Sequence, residues 1–185
     1  MTRILAVSGS LRRLSTNTAA LRTAAALAPE GITVELFDGL DQLPHFNPDH
    51  DVDPLPPTVE ALRQLVRESD GVLFSTPEYA GTLPGSFKNL LDWMVGGTEL
   101  NDKPTGWINT SPFLGRGSGA TATLVTVLHY VTADIVETAC VSIPIHRELV
   151  DPTGSITDES ICAQISGTLR ALASGNADSD PDSGD

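Results

Sequence analysis

Short apolar runs alternate along this chain with longer segments whose apolar residues recur every three or four positions. Ile4-Leu5-Ala6-Val7 is the first such run, bounded by polar residues, and predicts a strand buried on both faces. A Gly/Ser turn leads into a helix with Ala20, Leu21, Ala24, Leu27 and Ala28 on one face. Asn17 or Thr18 is its expected N-cap, and Pro29-Glu30-Gly31 its stop. Thr33 to Phe37 predicts a second strand. Val59, Leu62, Leu65 and Val66 share the next helix face, and Gly71-Val72-Leu73-Phe74 predicts the third strand. Phe87, Leu90, Leu91, Met94 and Val95 mark a third helix, ended by Gly96-Gly97. Trp107-Ile108-Asn109-Thr110 is a weaker fourth strand, and Leu124, Val127, Leu128 and Val131 mark a fourth helix. Ile135 to Ile143 carries the fifth strand, and Ile161, Ile165, Leu169 and Leu172 form the last helix face. Strands alternating with helices pair in parallel through right-handed crossovers, so the expected class is α/β, a doubly wound parallel sheet.

Two stretches break the pattern. Residues 38–56 hold five Asp, two His and four Pro with no Lys or Arg, and read as a long surface loop. From Ala173 the chain turns to Ser, Gly and Asp, with Asp178, Asp180, Asp182 and Asp185 and no basic residue. That composition cannot bury enough apolar surface to order itself. The expected organisation is one domain over 1–173 and a disordered acidic tail over 174–185.

A length of 185 residues suits one domain with a core large enough to need no disulfide or metal. Cys140 and Cys162 are far apart and form no CxxC pair, so both read as small buried residues in a reducing compartment. The charged-then-apolar start stops at Ser8-Gly9-Ser10, too short for a signal peptide, and no run approaches the roughly 20 apolar residues that span a bilayer. The expected location is the cytoplasm. The 24 Asp and Glu outnumber the 11 Lys and Arg, for a net charge of −13, which argues against a nucleic-acid partner. Screening acts over about 8–10 Å, so a local anion site is compatible with this total. His45 and His50 form no metal-ligand pattern and, with His129 and His146, read as structural or exposed; no metal is expected.

The chemistry points to the loops after the first and third strands, because ligands in open parallel sheets bind beyond the strands' carboxyl ends where the winding reverses. The first loop, Ser8 to Asn17, offers the hydroxyls of Ser10, Ser15 and Thr16, the amide of Asn17, Arg12 or Arg13, and a helix N-terminus. Such a set suits a phosphate; the competing reading is an ordinary polar turn with a cap. No Gly-Lys-Ser/Thr and no GxGxxG is present, so neither a Walker loop nor a dinucleotide fingerprint is supported. The second loop, Thr76 to Asn89, is shaped by Pro77, Gly81, Pro84 and Gly85 and can lay backbone N–H groups against a flat heteroaromatic edge. Glu78, a carboxylate without a partner in its loop, is assigned positioning rather than proton transfer.

These segments resemble a known family. Gly9-Ser10-Leu11-Arg12-Arg13-Leu14-Ser15-Thr16-Asn17 is similar to the Gly-Ser-x-Arg-x-x-Ser-x-Asn phosphate loop of the NADPH-dependent FMN reductases, within the flavodoxin-like superfamily. Pro77-Glu78-Tyr79, Pro84-Gly85, Lys88-Asn89 and Asp92-Trp93 match that family's second motif, and the likeness runs over roughly residues 3 to 172. The resemblance implies a flavodoxin-like three-layer sandwich with strand order 2-1-3-4-5. It also implies FMN held at Ser10, Arg12, Ser15, Thr16 and Asn17, with the flavin against Pro77, Glu78, Tyr79, Ala80 and Gly81. Ser111 and the stretch from Gly115 to Gly119 are the implied third loop. Ala80 stands where the family often has Asn, which removes one amide contact, and the third loop departs from the usual Gly-Gly-Ala-Arg.

On this resemblance FMN carries the chemistry and no side chain is expected to be catalytic. NADPH or NADH passes hydride to flavin N5, and a quinone, a flavin or another small electrophile then takes the electrons, with ping-pong kinetics. Arg116 is singled out for steering the nicotinamide phosphates, against a plain solvated arginine. Partners are expected to be small molecules and a second copy, as a homodimer or homotetramer, with the helix Phe87 to Val95 as a contact surface. The rival readings are a flavodoxin-type electron carrier without NAD(P)H activity and a flavin-free scaffold. A serine hydrolase is disfavoured because Gly117-Ser118-Gly119 lacks the full GxSxG elbow.

Overall fold

The first strand, β1 (Thr2–Ser8), sends Leu5 and Val7 to one side of the sheet and Ile4 and Ala6 to the other, all buried. This two-sided apolarity forces helices onto both faces. The computed structural model describes residues 1–113 and 115–175. Within them, β2 (Ile32–Phe37), β3 (Gly71–Ser75), β4 (Pro104–Asn109) and β5 (Asp134–Ser142) join β1 in one parallel sheet of order β2-β1-β3-β4-β5. Helices α1 (Thr16–Ala26) and α5 (Glu159–Gly175) cover Ile4, Ala6, Leu73 and Ile108. Helices α2 (Pro57–Glu68), α3 (Gly85–Val95) and α4 (Ser118–Tyr130) cover Leu5, Val7, Val72 and Phe74. The architecture is the flavodoxin-like three-layer sandwich.

Several sequence expectations shift. The cap of α1 is Ser15, not Asn17 or Thr18: Ser15 is extended and its Oγ accepts the Asn17 N–H. The same helix ends at Ala26, and Leu27, expected on its buried face, is 43% exposed as the C-cap. Helix α5 continues to Gly175, two residues past the expected domain end at 173. The rest of the expected disordered tail, 176–185, lies outside the described residues.

The segment 38–56 is a packed strap rather than a plain surface loop. It contains two short 3-10 turns, Leu40–Gln42 and Pro48–His50, and buries Leu40 and Leu43 against the core. Phe46 meets Trp93 edge-on at 5.0 Å, and the Pro44 carbonyl accepts both the Trp93 indole N–H and the Asn89 amide. Asp51 pairs with Arg63 at 2.8 Å, both side chains nearly buried. The apolar face of helix α3 is therefore covered within the subunit, while Lys88, Asp92 and Val95 stay open. Trp93 and Met94, expected at a contact surface between copies, are buried at 0% and 1% exposure, and of that face only Val95 stays open.

Both cysteines carry free thiols. Burial is the main cause that pushes the Cys140 thiol up to about 11, with Glu137 adding to it against a backbone hydrogen bond from Trp107. At pH 8 Cys140 is therefore neutral, and its labelling by iodoacetamide is expected to be slow and to rise steeply as pH approaches 11. Rapid labelling at pH 8, located by peptide mapping, contradicts this assignment.

Candidate functional site

Three loops at the carboxyl ends of β1, β3 and β4 meet around an open cleft of about 210 Å³. The β1–α1 loop can approach β3 because Gly9 has no Cβ: one placed there falls 2.2 Å from Thr76 Oγ1 and 2.9 Å from the Phe87 ring. The Gly9 N–H bonds the Ser75 carbonyl at 2.8 Å, locking the two loops together at the point where the winding reverses.

Asn17 is the hub of this junction. It is buried, and its Oδ1 lies 2.9 Å from Ser75 Oγ and 3.1 Å from Thr110 Oγ1. Ser75 has one proton and a second acceptor, the Ile108 carbonyl at 2.7 Å, so Thr110 supplies the other donor. With its oxygen engaged inside, the Asn17 amide turns Nδ2 towards Ser15. Ser15 accepts the Asn17 N–H and retains its own O–H for a ligand, and the other first-turn N–H groups of α1 add donors and the positive end of the helix dipole. Ser10, Arg12 and Thr16 also line the cleft.

The second lip is a two-residue hairpin. Tyr79 and Thr82 exchange backbone hydrogen bonds of 2.9 and 3.1 Å around Ala80 at φ 51 and Gly81 at φ 77. Both central residues are left-handed, as a type I′ turn requires, and Asn-Gly is the pair that suits it best. Asn at position 80 would thus serve the turn itself, a role that the sequence reading did not foresee. Ala80→Asn is expected to stabilise the chain by about 1 kcal/mol, since an alanine in this region bears a steric cost that Asn tolerates. A lowered melting temperature for the variant counts against this reading.

Glu78 reaches across to the third loop. Its Oε2 accepts the N–H groups of Gly119 at 2.8 Å and Ala120 at 3.2 Å, so it caps the N-terminus of α4 from another loop. The Gly119 Cα also approaches the Gly81 carbonyl so closely that a Cβ would lie 2.2 Å from it. Asn109 completes the latch by donating to the Arg116 carbonyl and accepting the Ser111 N–H. Glu78→Ala is expected to destabilise by about 1–2 kcal/mol, the usual value of a lost N-cap, with Glu78→Gln losing less. Equal losses for both variants in thermal melts contradict the capping role.

Of the residues expected at a ligand site, the cleft gathers Ser10, Arg12, Ser15, Thr16, Asn17, Pro77, Glu78, Tyr79 and Ser111. Ala80, Gly81 and Gly115 are not on its wall: the first two form the turn behind Tyr79, and Gly115 is exposed in the third loop. Thr76, Asn109 and Thr110 line it without having been expected, and Gly117, from the implied third loop, lines it as well. Arg116, expected to steer phosphates, borders the cleft and lies over the Phe113 ring at 5.8 Å. Among the described lining residues Glu78 is the one carboxylate, and one of its oxygens is taken by α4. The rest is hydroxyls, amides and two guanidinium groups, a donor-rich wall in an acidic protein.

Comparison with known proteins bears on the family and the fold. The family described as NADPH-dependent FMN reductase matches residues 2–148. An NAD(P)H-dependent FMN reductase of Pseudomonas aeruginosa is 43% identical over 91 residues, which span 49% of each chain. This chain thus matches about half the length of that relative. A quinone reductase of Escherichia coli K12 is 30% identical over 177 residues, covering 91% of this chain and 92% of that one. The solved flavoenzyme NAD(P)H:(acceptor) oxidoreductase FerB of Paracoccus denitrificans superposes with a TM-score of 0.83 at 30% identity, over 96% of this chain and 98% of its own. The chain belongs to the NADPH-dependent FMN reductase family.

Proposed function

We propose that this protein is an NAD(P)H-dependent FMN reductase that serves small electrophilic acceptors such as quinones or flavins by a ping-pong course. The observation that carries this reading is the chemistry of the cleft. A Ser15-capped helix N-terminus, the adjoining Asn17 amide and the Arg12 guanidinium suit a phosphate monoester, and among the described lining residues the one carboxylate, Glu78, is engaged by α4. The residues therefore fit FMN, with its phosphate at Ser10, Arg12, Ser15, Thr16 and Asn17 and its ring beside Pro77, Glu78 and Tyr79. FMN bound there would supply the two-electron redox chemistry that links the nicotinamide donor to the acceptor.

The protein's own contribution is placement. Ser15 and Asn17 fix the phosphate end, and the latch from Glu78 to α4 keeps the second and third loops in register on the ring side. Backbone N–H groups there can stabilise negative charge on a reduced ring without reorganising. Tyr79 is half exposed and Arg116 open, so the ring side of the cleft is accessible from solvent, which supports a broad range of acceptors.

Absorption spectroscopy of the purified protein, with FMN added and the excess removed and NADPH then titrated anaerobically, tests this function. Flavin retained and bleached by two electrons supports it. Retained flavin that neither nicotinamide bleaches makes the protein a flavodoxin-type carrier, and no retention with no turnover of free FMN overturns the reading. Parallel double-reciprocal lines are expected for donor and acceptor, and intersecting lines reject the ping-pong course. No helix among the described residues is long and apolar enough to cross a membrane. The same proposal places the protein in the cytoplasm as a homodimer or homotetramer, and light scattering behind size exclusion that gives a monomer at micromolar concentration removes that part.

A further inference from the structure

A second groove lies on the other side of the phosphate loop. It is open, about 210 Å³, and shares Ser10 and Arg12 with the cofactor cleft, so the two adjoin over the loop. Arg13 from the loop and Arg22 from α1 face it, together with Asp38 and Asp41 beyond the end of β2. The cluster of cations is unexpected in a chain of net charge −13.

Of the eight other cations five are engaged, whereas Arg116, Arg147 and Arg170 form no ion pair among the described residues. Arg3, Arg63, Arg67 and Lys88 form ion pairs, and Lys103 donates to the Ser69 carbonyl. Among the described residues Arg12, Arg13 and Arg22 pair with no carboxylate, although two carboxylates share their groove. The three guanidinium groups outnumber the two carboxylates of the groove, which leaves it net positive and favours a bound anion.

Arg22 is exposed, with its Nη1 2.6 Å from where a Cβ on Gly154 would stand. It follows Thr18 by one helical turn, and Thr18 Oγ1 pairs with Ser8 Oγ at 2.8 Å on the groove floor. The wall around this polar patch is apolar, with Leu36 and Phe37. Cations around a hydroxyl pair, an apolar wall and two carboxylates as acceptors match an adenosine that bears a phosphate monoester.

We propose that this groove takes the adenosine 2′-phosphate of NADPH, with Arg13 and Arg22 as the residues that set preference for NADPH over NADH. The assignment rests on the reading of the chain as an NAD(P)H-dependent FMN reductase. NADH carries a hydroxyl at that position and gains nothing from the two arginines. Arginine suits the task because its fork matches a phosphate's oxygens and its charge does not titrate.

Isothermal titration calorimetry of the FMN-loaded protein with 2′,5′-ADP and with 5′-AMP tests the assignment without turnover. The 2′-phosphorylated ligand is expected to bind at least about tenfold more tightly, as one or two charge-assisted hydrogen bonds predict. Arg13→Ala and Arg22→Ala are each expected to erase most of that ratio, and Arg22→Lys to keep part of it. Thermal melts verify that the variants, altered at exposed positions, are folded. Equal affinity for the two ligands overturns the proposal, as does a preference that survives both alanine variants. Should the protein fail to retain FMN, the earlier functional reading falls. The same titrations on the flavin-free chain then still decide the groove, where absence of a 2′-phosphate preference overturns it.

Discussion

Arg63→Ala is expected to cost about 3–5 kcal/mol and to lower the melting temperature by about 10 °C. The Arg63 guanidinium is 7% exposed, donates to the Trp93 carbonyl through Nε at 3.0 Å and pairs with Asp51 at 2.8 Å. It ties the strap 38–56 to the end of α3 through α2. Removing it leaves the Asp51 carboxylate, itself 11% exposed, without a counter-charge and the Trp93 carbonyl without its donor. Buried charges are costly when orphaned, whereas removing both partners of a pair costs far less. The double change Arg63→Met with Asp51→Leu is therefore expected to lose less than Arg63→Met alone. Calorimetric melting that shifts by under about 3 °C for Arg63→Ala places Asp51 in water and refutes the packed strap.

The second large effect concerns the site itself. Gly9→Ala is expected to weaken FMN retention about a hundredfold, because overpacking of this kind costs about 1–3 kcal/mol and here falls on the phosphate loop. The added Cβ meets Thr76 Oγ1 at 2.2 Å, Thr76 Cβ at 2.6 Å and the buried Phe87 ring at 2.9 Å. Relief requires the β1–α1 loop and the β3–α3 loop to separate, and these are the two lips that would hold the phosphate and the ring. Quenching of FMN fluorescence on titration with protein measures the loss. Gly167→Ala, in α5 with open space around the added carbon, serves as the control and is expected to stabilise slightly. Wild-type FMN affinity in the Gly9 variant shows that the lips do not act together.

The elements were legible because their causes are local. A strand buried on both faces must be apolar at successive positions, and Ile4 to Val7 and Gly71 to Phe74 say so without reference to anything distant. Helix faces follow from spacing, and the alternation of the two leaves a parallel sheet as its consistent solution. The two loops rich in hydroxyls, prolines and glycines also announced where a ligand belongs, since they follow β1 and β3.

What the pattern did not reveal depends on groups far apart in the chain. Asn17 looked like a helix cap, but its amide is claimed by Ser75 and Thr110, 58 and 93 positions away, and Ser15 caps instead. The strap looked solvent-exposed because its Asp and Pro residues are hydrophilic or irregular, yet Leu40, Leu43 and Phe46 are drawn onto α3. Glu78 had no partner within its own loop; the right-handed crossover through α3 and β4 brings the α4 N-terminus to it, 41 positions on. Arg22 and Gly154 meet only because α1 and the segment before α5 share one face of the sheet. Sequence alone thus determined the layers and the loops that line the cleft, because apolar period and turn chemistry act over a few residues. Tertiary structure decided which polar groups are already satisfied and which remain free to bind, because in a parallel sheet those partners are supplied by crossovers.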